Sequence, residues 1–399
     1  MSELSYAAPS EIDRYRQRAL LVGVVGLVLC TATLLIEDMR SRIFFSYLVG
    51  FVFWTGVALG SLAIAMLHQL SGGNWGVVIR RLLESATRTF PLLAILFLPV
   101  VIGLIFGNLY HWTHIEEETG RVREILEHKH SYLNIPFFLG RAVFYFAVWI
   151  LLTYLFNKWS SEQDETGDRR IQRKLQVLSG PGIVLYGLTV TFSSIDWVMS
   201  LDPEWFSTIF GILFMGGQGL SALAFVIALL VLLSKYEPFA STVKPAHLHD
   251  LGKLMLAFVM LWAYFNFSQF LIIWAGNLPE EIPWYIRRLQ GSWKWVGLML
   301  VVFHFALPFF LLLSRDLKRN ARRLITVAIL VIFMRFIDVI WLIAPEFRGE
   351  DFTARKLGVV MDFVALIGVG GIWMWFFLAR LKERPILPLH DPNWESDNA

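Results

Sequence analysis

The stretch Ile43–His68, IFFSYLVGFVFWTGVALGSLAIAMLH, contains no Asp, Glu, Lys or Arg. A helix rises 1.5 Å per residue, so about 20 such residues cross a hydrocarbon core of about 30 Å. This run is long enough to span a bilayer. Nine more apolar runs of similar length lie near 19–36, 88–109, 136–156, 180–199, 207–234, 252–275, 293–314, 324–344 and 358–379. The composition agrees: 56% of residues are hydrophobic and 17% charged, against about 45–50% and about 25% in soluble domains. The reading is an all-α, polytopic membrane protein of about ten transmembrane helices. One helical domain covers residues 19–380, between tails at 1–18 and 381–399.

An even number of spans puts both termini on one side. The tails and even-numbered loops carry 22 Lys and Arg, and the odd-numbered loops, with Arg141 counted among them, carry 12. By the positive-inside rule the termini are expected in the cytoplasm. Residues 1–18 are polar and mixed in charge, so no cleavable signal peptide is expected.

Small-residue spacings such as Gly56-x-x-x-Gly60 and Gly103-x-x-x-Gly107, and the stretches Gly216-Gly217-Gln218-Gly219 and Gly368-Val369-Gly370-Gly371, lie inside the apolar runs. There they read as close helix packing rather than a nucleotide site. The one cysteine, Cys30, can form no internal disulfide and hold no iron–sulfur cluster, and it reads as a small buried thiol. Paired axial histidines for a haem are not apparent, and His247-x-His249 with Asp250 makes a poor zinc site. The net charge of +3 does not suggest nucleic acid.

Ionisable groups at membrane depth are costly, so each is a functional candidate. Arg335 and Asp338 are three apart and share a helix face. Asp362, in the next run, comes to similar depth, and a compensating Arg335–Asp338–Asp362 cluster is expected. It reads either as a proton relay or as an ion-pair staple. Asp196 lies near the far end of the fifth run, at the depth of Asn266, Ser268 and Gln269 in the seventh. Gln218 and His304 lie near mid-membrane, and His68, Glu84, His247, His249 and Asp250 line the side of the termini. Stacked by depth, these residues sketch a broken polar column.

Several longer segments resemble a known family. They are Phe53-Trp54-Thr55-Gly56-Val57-Ala58-Leu59-Gly60-Ser61-Leu62, Gly72-Gly73-Asn74-Trp75-Gly76, Ile79-Arg80-Arg81-Leu82-Leu83-Glu84, Asp196 to Ser207, Trp262 to Phe270, and Gly276-Asn277-Leu278-Pro279-Glu280-Glu281. Together they look like ActF-type membrane subunits of alternative complex III, within the NrfD/PsrC-like superfamily. The resemblance covers about residues 20–380. It implies two four-helix bundles with flanking helices. It also implies a place in a respiratory or photosynthetic menaquinol:cytochrome c oxidoreductase of the bacterial inner membrane. Haems c and iron–sulfur clusters would belong to partners: a related membrane subunit of the ActC type, an iron–sulfur protein, and multihaem and monohaem c cytochromes. This chain would carry no redox centre, and menaquinone is a possible ligand. On the resemblance, Asp196, His304, Arg335, Asp338 and Asp362 are expected in a proton path, with His68 and Glu84 at its terminal end. Trp197, Asn266, Ser268 and Gln269 are expected to line a quinone pocket. A secondary transporter, an anchor for another redox complex and a purely structural anchor stay open as alternatives.

Overall fold

The computed structural model describes residues 6–35, 42–106, 109–348 and 356–392. Residues 1–5 and 393–399 of the two tails, and Gly107 of the second small-residue pair, lie outside the described residues. The protein is an all-α multi-pass membrane protein. Among the described residues ten helices are long and apolar enough to cross a bilayer: spans 1 to 10 run Glu11–Leu35, Arg42–Ser71, Val77–Phe106, Ile135–Thr166, Arg169–Leu201, Phe210–Leu233, Pro245–Gly276, Trp293–Leu313, Ala321–Phe347 and Gly358–Lys382. Helix is the form expected, because lipid offers no partner for a backbone N–H or C=O.

Local chemistry sets several ends. Asn134 opens span 4 by accepting from the Phe137 amide at 3.0 Å, with Pro136 in the first turn. Asp168 accepts from the Arg170 amide at 2.8 Å to open span 5, and Asn320 accepts from the Arg323 amide at 3.1 Å to open span 9. Each satisfies an amide that the first helical turn leaves unpaired. Gly167 ends span 4 at φ 64°, a conformation glycine takes without steric cost.

Spans 2–5 pack as one four-helix bundle and spans 6–9 as a second. Spans 2 and 6 meet at the centre, with 94% and 89% of their most apolar windows buried. Their backbones come so close at Gly60 that an added Cβ would lie 2.0 Å from the Gln218 carbonyl oxygen. Spans 1 and 10 flank this core and cross each other on Gly23, Gly26, Gly368 and Gly371. Without a hydrophobic drive between helices in lipid, such close approach supplies the packing energy. Trp54 ties span 10 to span 2 by donating to the Leu366 carbonyl at 2.9 Å, and Trp373 ties it to span 3 by donating to Thr89 at 2.8 Å. Outward apolar residues such as Leu21, Leu271, Val301 and Phe310 are exposed and face the lipid. Cys30 is buried beside Ile43, Met361 and Ala365.

The termini share a face: the Ile386 amide donates to the Tyr6 carbonyl at 3.0 Å. Two spans depart from regular helix. Span 3 breaks into Phe90–Leu96 and Leu98–Phe106, around Pro91 and Pro99. Span 8 contains a π turn, Leu300–Ala306, just before Pro308. Pro308 has no N–H to give the carbonyl of His304, and a wider turn relieves its ring's clash with that carbonyl. Span 3 also starts earlier than its hydropathy suggests, at Val77 rather than near residue 88. The reason is electrostatic, because Arg80, Arg81 and Glu84 are buried against one another and need no water.

Candidate functional site

The π turn of span 8 carries His304 into the interior of the second bundle, where it is fully buried. Its ring lies edge-on to Trp262 of span 7, 4.3 Å between centroids. The Trp262 indole N–H donates to Asp338 Oδ2 at 2.9 Å, and the Arg335 guanidinium pairs with the same oxygen. Gly217 of span 6 makes room for Arg335, since a Cβ there would fall 2.4 Å from the guanidinium carbon. Three spans and one glycine therefore build a single buried site. Among the described residues, Asp338 Oδ1 and both ring nitrogens of His304 have no hydrogen-bond partner. A buried polar atom left unpaired costs about 1–3 kcal/mol, so such atoms need an explanation.

The first bundle holds a counterpart. Asp196 of span 5 takes the fork of Arg141 from span 4, Nε and Nη2 at 2.8 Å each, and the Tyr145 hydroxyl at 2.7 Å. Arg141 lies under the Tyr132 ring at 3.8 Å and gives Nη1 to the Tyr132 carbonyl at 2.9 Å. Trp197, the next residue, is packed among Phe51, Phe97, Tyr145, Phe146 and Trp149, with ring centroids between 5.1 and 6.3 Å. Both Asp196 oxygens are thus engaged, a bidentate arrangement that fixes the carboxylate's orientation.

A sequence echo relates the two sites. Ile195-Asp196 is followed after six residues by Pro203-Glu204, and Ile337-Asp338 after six residues by Pro345-Glu346. Phe144-Tyr145-Phe146 of span 4 matches Phe303-His304-Phe305 of span 8. Each aspartate lies seven residues before its proline, about 10 Å along a helix. Spans 5 and 9 run in the same direction, so the repeat is parallel. The two echoes meet at the face opposite the termini. Arg287 pairs with both Asp202 and Glu346, and Trp205 stacks on Trp284 at 4.5 Å. Arg288, fully buried, forms an ion pair with Glu346 at 2.8 Å and gives its guanidinium to the Trp341 and Leu342 carbonyls. Burial pushes the Arg288 guanidinium down to about 10, against the opposing pull of Glu346.

Three sequence expectations are corrected here. Asp362 does not join Arg335 and Asp338; it accepts from Ser46 of span 2 at 2.7 Å, at the seam between spans 2 and 10. Arg141 is no loop residue, because its pairing with Asp196 lets it enter the membrane inside span 4. The polar column dissolves into separate local sites. His68 is bonded to the Gly73 carbonyl at 2.9 Å and clamps the loop after span 2. Glu84 takes Arg80 at 2.9 Å, Ser160 at 2.6 Å and Arg81, while Arg80 also holds Asp391 at 2.6 Å. That network pins the C-terminal segment over spans 3 and 4. His247 accepts from the Lys244 amide at 3.2 Å as part of a helix cap, and His249 lies 3.7 Å from Asp250.

The four quinone-pocket candidates do not share a pocket. Trp197 lies in the first bundle. Asn266 donates to the Trp262 carbonyl at 2.9 Å, and Gln269 is buried near Ser207, at 3.5 Å. Ser268 alone reaches a lipid-facing groove of about 410 Å³, otherwise lined by Ile209, Ile212, Tyr264, Phe265, Leu271 and Ile272. This groove fits an alkyl chain but lacks the opposed polar groups that a quinone headgroup needs. Among the described residues no cluster could hold a metal ion.

Tyr145 and Trp262, which complete the two buried clusters, are not singled out by the sequence reading, and Arg141 is counted there in a loop. The aspartate echo and the Phe-x-Phe match at Tyr145 and His304 were the available signals. No protein-family model matches this chain, and no curated protein matches it.

Proposed function

We propose that this chain is an integral membrane subunit of a menaquinol:cytochrome c oxidoreductase of the alternative complex III type. In this reading it scaffolds the complex in a bacterial inner membrane, with both termini cytoplasmic, and carries protons through the Asp338–His304 site. Its electron-transfer centres belong to partners: an ActC-type membrane subunit, an iron–sulfur protein and c cytochromes. The observation that carries the reading is the open hydrogen-bonding capacity of Asp338 Oδ1 and of both His304 nitrogens, fully buried beside Arg335. A relay group must take up and release a proton within a membrane interior, and such groups are otherwise excluded from it. Asp196 and Glu84, whose oxygens are filled by guanidinium and hydroxyl donors, offer no open position for a proton relay and brace the structure instead. The parallel repeat also speaks against an inverted-repeat transporter. Purification of the tagged chain from native membranes in mild detergent tests the assignment. Co-purifying c-type haem, an iron–sulfur protein and a second related membrane subunit is the expected result, and a solitary colourless protein contradicts it.

A further inference from the structure

A cavity of about 10 Å³ lies where the two bundles meet, lined among others by Thr55, Gly56, Ser193, Ser194, Trp197 and Gln218. That is the volume one water molecule needs. Two of its lining groups, the Thr55 hydroxyl and the Trp197 indole N–H, have no hydrogen-bond partner among the described residues, although their residues are 2% and 4% exposed. The others point their chemistry elsewhere while keeping an acceptor lone pair: Ser193 donates to the Val190 carbonyl at 3.2 Å and Ser194 to Thr191 at 2.8 Å. Gln218 Oε1 accepts from Tyr186 at 2.9 Å and keeps its second lone pair.

The second bundle shows what belongs in this place. Phe53-x-x-Gly56-x-x-Leu59 is echoed by Phe214-x-x-Gly217-x-x-Leu220, and Ser193 stands three residues before Asp196 as Arg335 stands before Asp338. There the guanidinium of Arg335 sits against Gly217. In the first bundle a serine replaces the arginine and leaves a polar gap against Gly56.

We propose that this cavity binds one water molecule, which accepts from Trp197 Nε1 and joins spans 2, 5 and 6 through Thr55 and Gln218. With the indole N–H donating to it, the Thr55 hydroxyl able to donate or accept, and the Gln218 and serine oxygens accepting, the water has the two to four partners that a buried water requires. A sodium ion is disfavoured, because the indole N–H offers it a proton rather than a lone pair. The site concerns bound water itself and stands apart from whether the chain moves protons.

X-ray radiolytic labelling of the membrane-embedded full chain, read by mass spectrometry, tests the site, because activated bound water oxidises the side chain it touches. Trp149 is the dry control: it is fully buried, and its N–H is satisfied by Thr189 at 2.9 Å. Trp197 is expected to label about tenfold faster than Trp149. In Gly56→Ala the added methyl meets only Gln218 Cγ, at 3.4 Å, and takes up the water's space. Labelling of Trp197 should then fall about tenfold, the change expected when one hydrogen bond's worth of binding is lost. Thr55→Val, which keeps the shape and removes the hydroxyl, should lower it in the same direction. Trp197 labelling no faster than Trp149, or labelling unchanged in either variant, overturns the proposal.

Discussion

Asp196 and Arg141 meet through two parallel hydrogen bonds of 2.8 Å across the seam between spans 4 and 5. Asp338 and Arg335, at the repeated position, share one helix and use only one carboxylate oxygen. The same local motif therefore yields a closed pair in one bundle and an open one in the other. The proposed division between bracing and proton handling rests on that difference.

The closed pair should behave as a structural staple. Arg141→Met leaves Asp196 buried without its cation and is expected to destabilise the chain by about 3–5 kcal/mol. Arg141→Met combined with Asp196→Leu should recover most of that loss, because no uncompensated charge remains. Thermal unfolding in micelles, read as a double-mutant cycle, checks this. Additive losses would mean that the two residues do not act as a pair.

The glycines at repeated positions should differ in tolerance. Gly217→Ala drives a methyl into the Arg335 guanidinium, and overpacking of this kind costs about 1–3 kcal/mol. Gly56→Ala meets one flexible side-chain carbon at van der Waals distance, so its methyl adds less than about 1 kcal/mol of packing strain, apart from the cost of any water it displaces, and it leaves the Arg141–Asp196 pair untouched. Equal melting temperatures for the two variants would contradict the assigned packing around Arg335.

Glu84 sits in an ionic network that ends on the C-terminal segment through Asp391. Asp391→Ala is expected to cost about 3 kcal/mol by leaving Arg80 under-compensated. It should also open the segment after Lys382 to protease, while Glu84→Gln weakens folding more than proton movement. Limited proteolysis and melting curves check the first expectation, and a Glu84→Gln chain that folds normally but loses proton movement would overturn the second.

Much of this architecture is legible in the sequence because lipid enforces a simple rule: about 20 apolar residues per crossing. The runs near 43–68 and 207–234 fall on spans 2 and 6 for that reason. The ends of spans 3, 4 and 5 were harder to read, since Arg80, Glu84, Ser160 and Gln163 satisfy one another inside the fold and so extend helices beyond their apolar cores. Arg335 with Asp338 was readable from i, i+3 spacing, a local property. The Arg141–Asp196 pair, 55 residues apart, was not. Nor was the partition of Asp362 to Ser46, 316 residues away, because depth along a helix says nothing about which neighbour it faces.

His304→Phe decides whether the open Asp338–His304 site moves protons, as proposed. Among the described residues His304 has no hydrogen-bond partner to lose, and a phenyl ring can keep the edge-on contact with Trp262, so folding and assembly should survive. The measurement is the number of protons moved per electron during quinol oxidation by the purified complex in sealed vesicles. Electron transfer close to that of the unmodified complex, with a clearly lower proton ratio, is the expected result. An unchanged proton ratio in an assembled, active complex would contradict it.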